Sequence, residues 1–311
     1  MRVILCESCG SPLDAAWDSL AVICRYCGAH NVPGSAERPV ALRVPVDSRP
    51  RVNLGGRTYV IESRLGEGDS SVVYRARWVV RLGELVVLKV LHARSDADLL
   101  RAEWTTLRAL SRSRAQGAAH YVSRLPQPIA HGIIEADGPR VASVFGWKSG
   151  FVHTLHEVGN LYDSGVPGPV VVWILKRLLE LLDFVHRAGF VHGAVTPDHI
   201  LIHPYDHGAM LVGWTASGAV GERLRAQSAT WSQLYGDATL ATPKLDIAMA
   251  CRCVRAVAVG LPRLHPVLDR GASGQIESAW ALRQQLLETS EQIFGPPAYH
   301  PLQMPGWKRT G

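Results

Sequence analysis

The chain has 311 residues, 47% of them hydrophobic and 19% charged, and a formal net charge of +6. This is long enough for one large domain plus a small module; no signal peptide or apolar run of membrane-spanning length is present, so a soluble cytoplasmic protein without membrane contact is expected. The basic balance would suit acidic partners, but the arginines are scattered rather than run together, so a solvated basic surface is the reading, with a weak nucleic-acid or anionic-surface contact left open.

Near the start, Cys6-Glu7-Ser8-Cys9-Gly10 and Cys24-Arg25-Tyr26-Cys27-Gly28 form two C-x2-C pairs separated by fourteen residues. Each pair can wrap two thiolates around one tetrahedral metal, and the glycine that follows permits a tight turn. Cys6, Cys9, Cys24 and Cys27 are therefore expected to hold a structural Zn2+ in a zinc ribbon over residues 1–34, with disulfides or an iron–sulfur cluster as alternatives. Between the pairs lie Trp17 and the strand-like Leu20-Ala21-Val22-Ile23. So short a fragment buries little apolar area, and the metal would supply much of its stability. Few Lys or Arg residues occur here, which gives the ribbon no positive sign of nucleic-acid binding.

Pro- and Gly-rich punctuation marks residues 35–56 as a linker. Residues 59–77 then read as strand, glycine-rich turn and strand, with Gly66 and Gly68 in the turn and Ser71 three residues on. Leu85-Val86-Val87-Leu88-Lys89-Val90-Leu91 is an apolar strand interrupted by a lysine, which is costly to bury unless paired. In the helical pattern of residues 96–111, Glu103 shares a side with Leu107 and Leu110, so a Lys89–Glu103 pair is expected in preference to a solvent-exposed glutamate. Two further strands, at 128–134 and 140–145, are joined by an Asp137-Gly138 turn signal.

Residues 170–188 carry a wide apolar face at helical spacing, stopped by Gly189. There follow Val191-His192-Gly193-Ala194-Val195-Thr196-Pro197-Asp198-His199, a short buried strand Ile200-Leu201-Ile202, and Ala209-Met210-Leu211-Val212-Gly213-Trp214-Thr215. A buried helix beginning near Thr242-Pro243 carries Asp246 and then Cys251 and Cys253, read as buried free thiols in a reduced compartment. His186, His192, His199, His203 and His207 crowd together in sequence with Asp198 and Asp206. On a helix, a turn and a strand they would point in different directions, so surface polarity plus a core His192 is expected rather than a metal or acid–base constellation. After an amphipathic segment at 276–294, residues 296–311 are proline-rich and expected to pack along the body rather than serve as a docking tail.

In this order the motifs resemble the protein-kinase-like superfamily, in particular a bacterial serine/threonine-kinase-like protein, over residues 57–295. The resemblance implies an α+β, two-lobed fold: a β-rich small lobe at 57–146 and an α-rich large lobe at 147–295, with residues 146–159 as the hinge. In that family the glycine turn approaches the ATP phosphates and the strand lysine holds them, so Gly66, Gly68, Lys89 and Glu103 are the nucleotide-site candidates. The catalytic loop H-R-D-L-x-x-x-N is matched by residues 192–199, with Ala194 at the proton-accepting Asp and His199 at the metal-binding Asn. Gly213 and Trp214 stand at the Asp and Phe of D-F-G. A methyl group takes no proton, and a neutral imidazole is a poor ligand for Mg2+. Asp246 matches the Asp that supports the loop backbone; it is read as an anchor for the His192 turn, or else as a partner of its own helix dipole. No A-P-E-type signature is recognisable around residues 231–236, which puts the substrate-docking segment in doubt. The resemblance thus implies a pseudokinase with no catalytic residues, a scaffold or regulator that binds a protein partner and holds ATP, if at all, without Mg2+. An unconventional ATP-dependent phosphotransferase or nucleotidyl transferase using Asp198 or His199 is the alternative. A third reading has the ribbon contact nucleic acid under control of the kinase-like body.

Overall fold

The computed structural model describes residues 2–6, 9–15, 22–31, 49–79, 84–136 and 138–304. Two short antiparallel hairpins come first: β1 (Arg2–Leu5) with β2 (Pro12–Ala15), and β3 (Val22–Ile23) with β4 (His30–Asn31). Their turns carry the four cysteines around a core of Cys6, Leu13 and Cys24. This cluster fits a small zinc-ribbon-like module. Trp17, Leu20, Ala21 and most of the expected linker lie outside the described residues.

Next come β5 (Arg51–Leu54), β6 (Arg57–Glu67), β7 (Ser71–Trp78), β8 (Leu85–Leu91), α1 (Ala97–Ser111), α2 (Ala118–Tyr121), β9 (Pro128–Glu135) and β10 (Pro139–Gly146). The strands form one antiparallel sheet in the order β5-β6-β7-β8-β10-β9. β5 corrects the expected linker at 35–56. Arg51-Val52-Asn53-Leu54 alternates exposed and buried, which puts Val52 and Leu54 into the sheet's core with Tyr59, Val86 and Leu88. The sheet curls until its outer strands approach each other. A methyl group on Gly132 of β9 would lie 3.2 Å from Leu54 Cδ1, so the glycine permits the approach. Asp137, in the expected turn between β9 and β10, lies outside the described residues.

The second lobe holds β11 (His153–Thr154), α3 (Leu155–Asn160), α4 (Gly168–Arg187), β12 (Phe190–Val191), β13 (Ile200–His203), β14 (Gly208–Leu211), β15 (Gly218–Ala219), α5 (Pro243–Val257), α6 (His265–Ala272) and α7 (Ala279–Phe294). α4 is buried on most of its circumference and packs against α5 and α7, as its wide apolar face requires. The segment expected as hinge, 146–159, contains α3. Thr154 accepts the Glu157 N–H and Glu157 accepts the Thr154 N–H, a capping box that starts a helix and shortens the connection. Cys251 and Cys253 of α5 are buried thiols in the large-lobe core, and burial pushes the Cys251 thiol up to about 12.

Residues 296–304 pack against the large lobe. The Tyr299 ring stacks on His207 at 4.3 Å, and His207 stacks in turn on Trp173 of α4 at 4.7 Å. Leu302 donates its N–H to Pro204 O at 3.3 Å and, like Met304, joins the core. Residues 305–311 lie outside the described residues. Leu302 is 1% exposed, so Leu302→Ala should destabilise the chain by about 2–4 kcal/mol in urea unfolding; a loss below about 0.5 kcal/mol would show that the tail is not part of the folded core.

Candidate functional site

β8 is flanked by β7 and β10, which leaves Lys89 only 7% exposed. Its Nζ donates to Glu103 Oε2 at 2.8 Å. Glu103 lies on the inward side of α1 with Leu100, Leu107 and Leu110. Its other oxygen, Oε1, accepts the backbone N–H of Trp214 at 2.9 Å. One carboxylate therefore ties β8 and α1 of the small lobe to the large lobe. Removing either partner of such a buried pair leaves an uncompensated charge, which costs about 3–5 kcal/mol.

Trp214 is fully buried; its Nε1 donates to Leu211 O at 2.9 Å, and its ring meets the His192 imidazole edge-on at 4.4 Å. His192 Nε2 donates to Val212 O at 3.0 Å while Nδ1 accepts the Ala194 N–H at 3.2 Å, which defines the neutral Nε2–H tautomer. Burial pushes this imidazole down to about 4 against the opposing attraction of Asp246. Asp246, fully buried, accepts the backbone N–H groups of His192 (2.8 Å) and Gly193 (2.9 Å), and its Oδ2 also lies 3.0 Å from His186 Nε2. Its carboxylate thus holds the loop. Gly193 has φ +73, and a Cβ there would lie 2.6 Å from Ala216 O, so the position following His192 admits no side chain in this arrangement.

The positions matching the metal ligands touch each other. Gly213 has φ +74, and a Cβ on it would lie 2.3 Å from His199 Nε2. The His199 ring is fixed there by Nδ1 donating to Ala194 O at 2.8 Å, and burial lowers its pKa. The imidazole thus fills the space that a side chain at position 213 would need. Ala194 is itself buried. Mg2+ does not fit this donor set: no carboxylate stands at these positions, and Glu103 is already committed to Lys89 and Trp214. The surrounding histidines and acids disperse. Asp198 sits at the surface, with Oδ1 2.8 Å from His156 Nδ1 and Oδ2 accepting Trp231 Nε1–H at 2.7 Å. His203 Nδ1 accepts the Asp206 N–H, and His207 lies between aromatic rings.

The glycine turn lies across the cleft. A Cβ on Gly66 or Gly68 would meet nothing within 4 Å, so both leave the backbone open to approach. Gly66 lies in β6 opposite Val73, and the Gly68 N–H donates to Ser71 O at 2.9 Å. Ser71, at the third glycine position, is buried in β7 opposite Leu91. At the tip, Asp69 Oδ2 accepts the Ala229 N–H at 3.0 Å and the Ser228 Oγ–H at 3.2 Å, a second bridge between the lobes. Neither this contact nor the Gly193 constraint has a local sequence signature, because each is set by residues distant in the chain.

In the N-terminal module the sulfurs of Cys6, Cys9, Cys24 and Cys27 all lie within 4.8 Å of one another, with Cys6–Cys27 and Cys9–Cys24 each at 3.5 Å. Sulfurs bound tetrahedrally at about 2.3 Å would be about 3.8 Å apart. The two turns repeat one geometry: Gly10 N–H donates to Cys6 O and Gly28 N–H to Cys24 O, both glycines at φ +72. The four thiols could hold a metal ion and are compatible with Zn2+. Among the described residues this is the one group of three or more His, Cys, Asp or Glu that is so disposed.

The depressed His192 pKa has a stability consequence. An unfolded histidine titrates near 6.5 and the folded one near 4, so between these values the unfolded chain binds the extra proton. Stability should fall as pH drops through this window, by roughly 3 kcal/mol from this group. Urea unfolding at pH 7.5, 5.5 and 4.5 should show a shallower dependence for His192→Gln than for the parent; equal slopes would contradict the assignment.

No protein-family model matches the chain. It is 33% identical over 147 residues to the serine/threonine-protein kinase PknL of Mycobacterium bovis, covering 46% of this chain and 33% of that protein. To the serine/threonine-protein kinase pkn3 of Myxococcus xanthus it is 30% identical over 149 residues, covering 47% and 25%. The chain spans about a third or less of the length of these curated relatives. Among solved structures it resembles the BubR1 kinase domain (TM-score 0.59, 13% identity, 78% of this chain and 83% of that one). Vaccinia related kinase 3 gives a TM-score of 0.57 at 13% identity over 81% and 94%, and the rhoptry antigen kinase domain of Toxoplasma gondii 0.53 at 16% over 78% and 86%. The two lobes and these likenesses show that the chain has a protein-kinase-like fold, and part of its sequence is similar to bacterial serine/threonine-protein kinases.

Proposed function

We propose that the protein is a pseudokinase: a kinase-like body with a Zn2+-holding ribbon that binds a protein partner and transfers no phosphate. The observation that carries this reading is the contact between His199 and Gly213, which puts an imidazole where a metal-binding carboxylate would have to stand. Phosphoryl transfer depends on metal ions to neutralise the charge that develops on the phosphates, and on a residue that orients and deprotonates the nucleophile. The matching positions supply an imidazole, a glycine and a methyl group. The connecting contacts are kept: Lys89 to Glu103 to the Trp214 N–H, and Asp246 to the loop backbone. ATP is read as a metal-independent structural ligand, bound by Lys89 and the glycine-turn backbone.

The relatives named as kinases favour a second reading, an unconventional ATP-dependent phosphotransferase. Asp198 would be its relocated base, although both of its oxygens are engaged by His156 and Trp231.

With ATP and either Mg2+ or Mn2+, the full chain should show no phosphate transfer to itself or to a generic substrate. ATP should raise its melting temperature equally with and without Mg2+, and Lys89→Met should abolish that shift. Turnover that disappears in Lys89→Met would overturn the proposal. For the ribbon, elemental analysis should find about one zinc per chain, lost in Cys24→Ser; a metal-free, equally stable parent would refute the Zn2+ assignment.

A further inference from the structure

The outer face of α1 carries an arrangement that neither the cleft nor the ribbon uses. Trp104 and Thr105 lie three and four residues from both Arg101 and Arg108, and Arg112 four beyond Arg108, so the five form a single stripe on the side away from Glu103 and Leu107. All three arginines are exposed, and among the described residues none has a carboxylate within ion-pair distance. Elsewhere some surface arginines pair, Arg75 and Arg77 with Glu62, Arg187 with Asp183 and Arg255 with Asp269, and others such as Arg94, Arg223 and Arg270 are unpaired among the described residues but lie apart from one another in sequence; what marks α1 is three unpaired guanidiniums on one helix face. Trp104 stands half-buried among them. One side of its ring stacks on His131 of β9 (centroids 5.5 Å, planes 21° apart), and the Arg108 guanidinium lies 5.6 Å from its centroid. Trp104, Thr105, Arg108, Ala109 and Arg112, all of α1 or its C-cap, border a shallow open depression.

We infer that this face of α1 docks an acidic protein segment, with carboxylates on Arg101, Arg108 and Arg112 and an apolar side chain against Trp104 and Ala109. Unpaired guanidiniums along about 16 Å of helix repel one another, and a partner carboxylate relieves this with paired N–H donors. The stripe is short and bounded: beyond Arg101 the region between α1 and β15 mixes acids with a basic residue, Asp98 and Glu222 with Arg225, so the unpaired positive charge ends there and spans the length of a short peptide. A second copy of this chain is a poor occupant, since its net charge is +6. The inference rests on the partner-binding reading above but places the contact on the opposite face of the helix from the cleft.

The test is fluorescence anisotropy of the full chain with a labelled twelve-residue peptide bearing glutamate at every third or fourth position around a central leucine. Controls are the same peptide with glutamine for glutamate and a twelve-nucleotide single-stranded DNA. The acidic peptide should bind, and added salt should weaken it. Arg108→Glu/Arg112→Glu should weaken it at least about tenfold without change in melting temperature, and Trp104→Ala, which also loses its stacking on His131, should weaken it to a lesser degree while remaining folded by circular dichroism. No binding, equal binding of the glutamine peptide, an unaffected double variant, or tighter binding of the DNA would each overturn the proposal. None of these outcomes depends on phosphate transfer, so they are separable from failure of the pseudokinase reading.

Discussion

The two oxygens of Glu103 do different work, and the rest of the cleft is arranged around that division. One neutralises a lysine that sits in the middle strand of a sheet, where an unpaired charge is not tolerated; the other receives the N–H of Trp214. α1 can then occupy only one position, wedged between β8 and the turn that begins at Trp214. Because Trp214 is fully buried and its ring rests on His192, the position of a small-lobe helix is set by packing deep in the large lobe. The ion pair is thereby a joint between the lobes as well as a stabilising contact.

Asp246 plays the corresponding part below. By accepting two successive backbone N–H groups it holds the loop at His192 and Gly193, and it does so from the first turn of α5, whose N-cap Thr242 and Pro243 fix where that helix begins. With both carboxylates in place, the loop keeps its course with a methyl group rather than an acid at position 194. In this fold the frame around the loop and the side chains it presents are separable, because the frame is built from backbone hydrogen bonds and buried aromatic packing. Neither requires the presented side chains.

Much of this frame was legible before any coordinates. α4 and α1 showed themselves through apolar spacing, and Lys89 through the cost of burying it. Cys6, Cys9, Cys24 and Cys27 stood out through spacing, and Asp246 through its place in the motif order. β5 escaped because four alternating residues give too short a pattern beside a proline-rich stretch, although Val52 and Leu54 are core residues. α3 is not legible although Thr154 and Glu157 mark its start, because six residues are too short for a helical apolar pattern. The Asp69 contact with Ser228 and Ala229 escaped for a deeper reason. It joins groups about 160 residues apart, and nothing near either end depends on the other until the lobes come together. The same holds for Gly193, where the carbonyl of Ala216 leaves no room for a side chain.

The pairing of Gly213 with His199 makes the two positions interdependent. A carboxylate introduced at position 213 alone would run into the imidazole. An amide introduced at position 199 alone would face a glycine, and either change leaves a methyl at 194. Engineering a cation site into this cleft would therefore require positions 199 and 213 to change together, because the side chain at one occupies the room that the other would need.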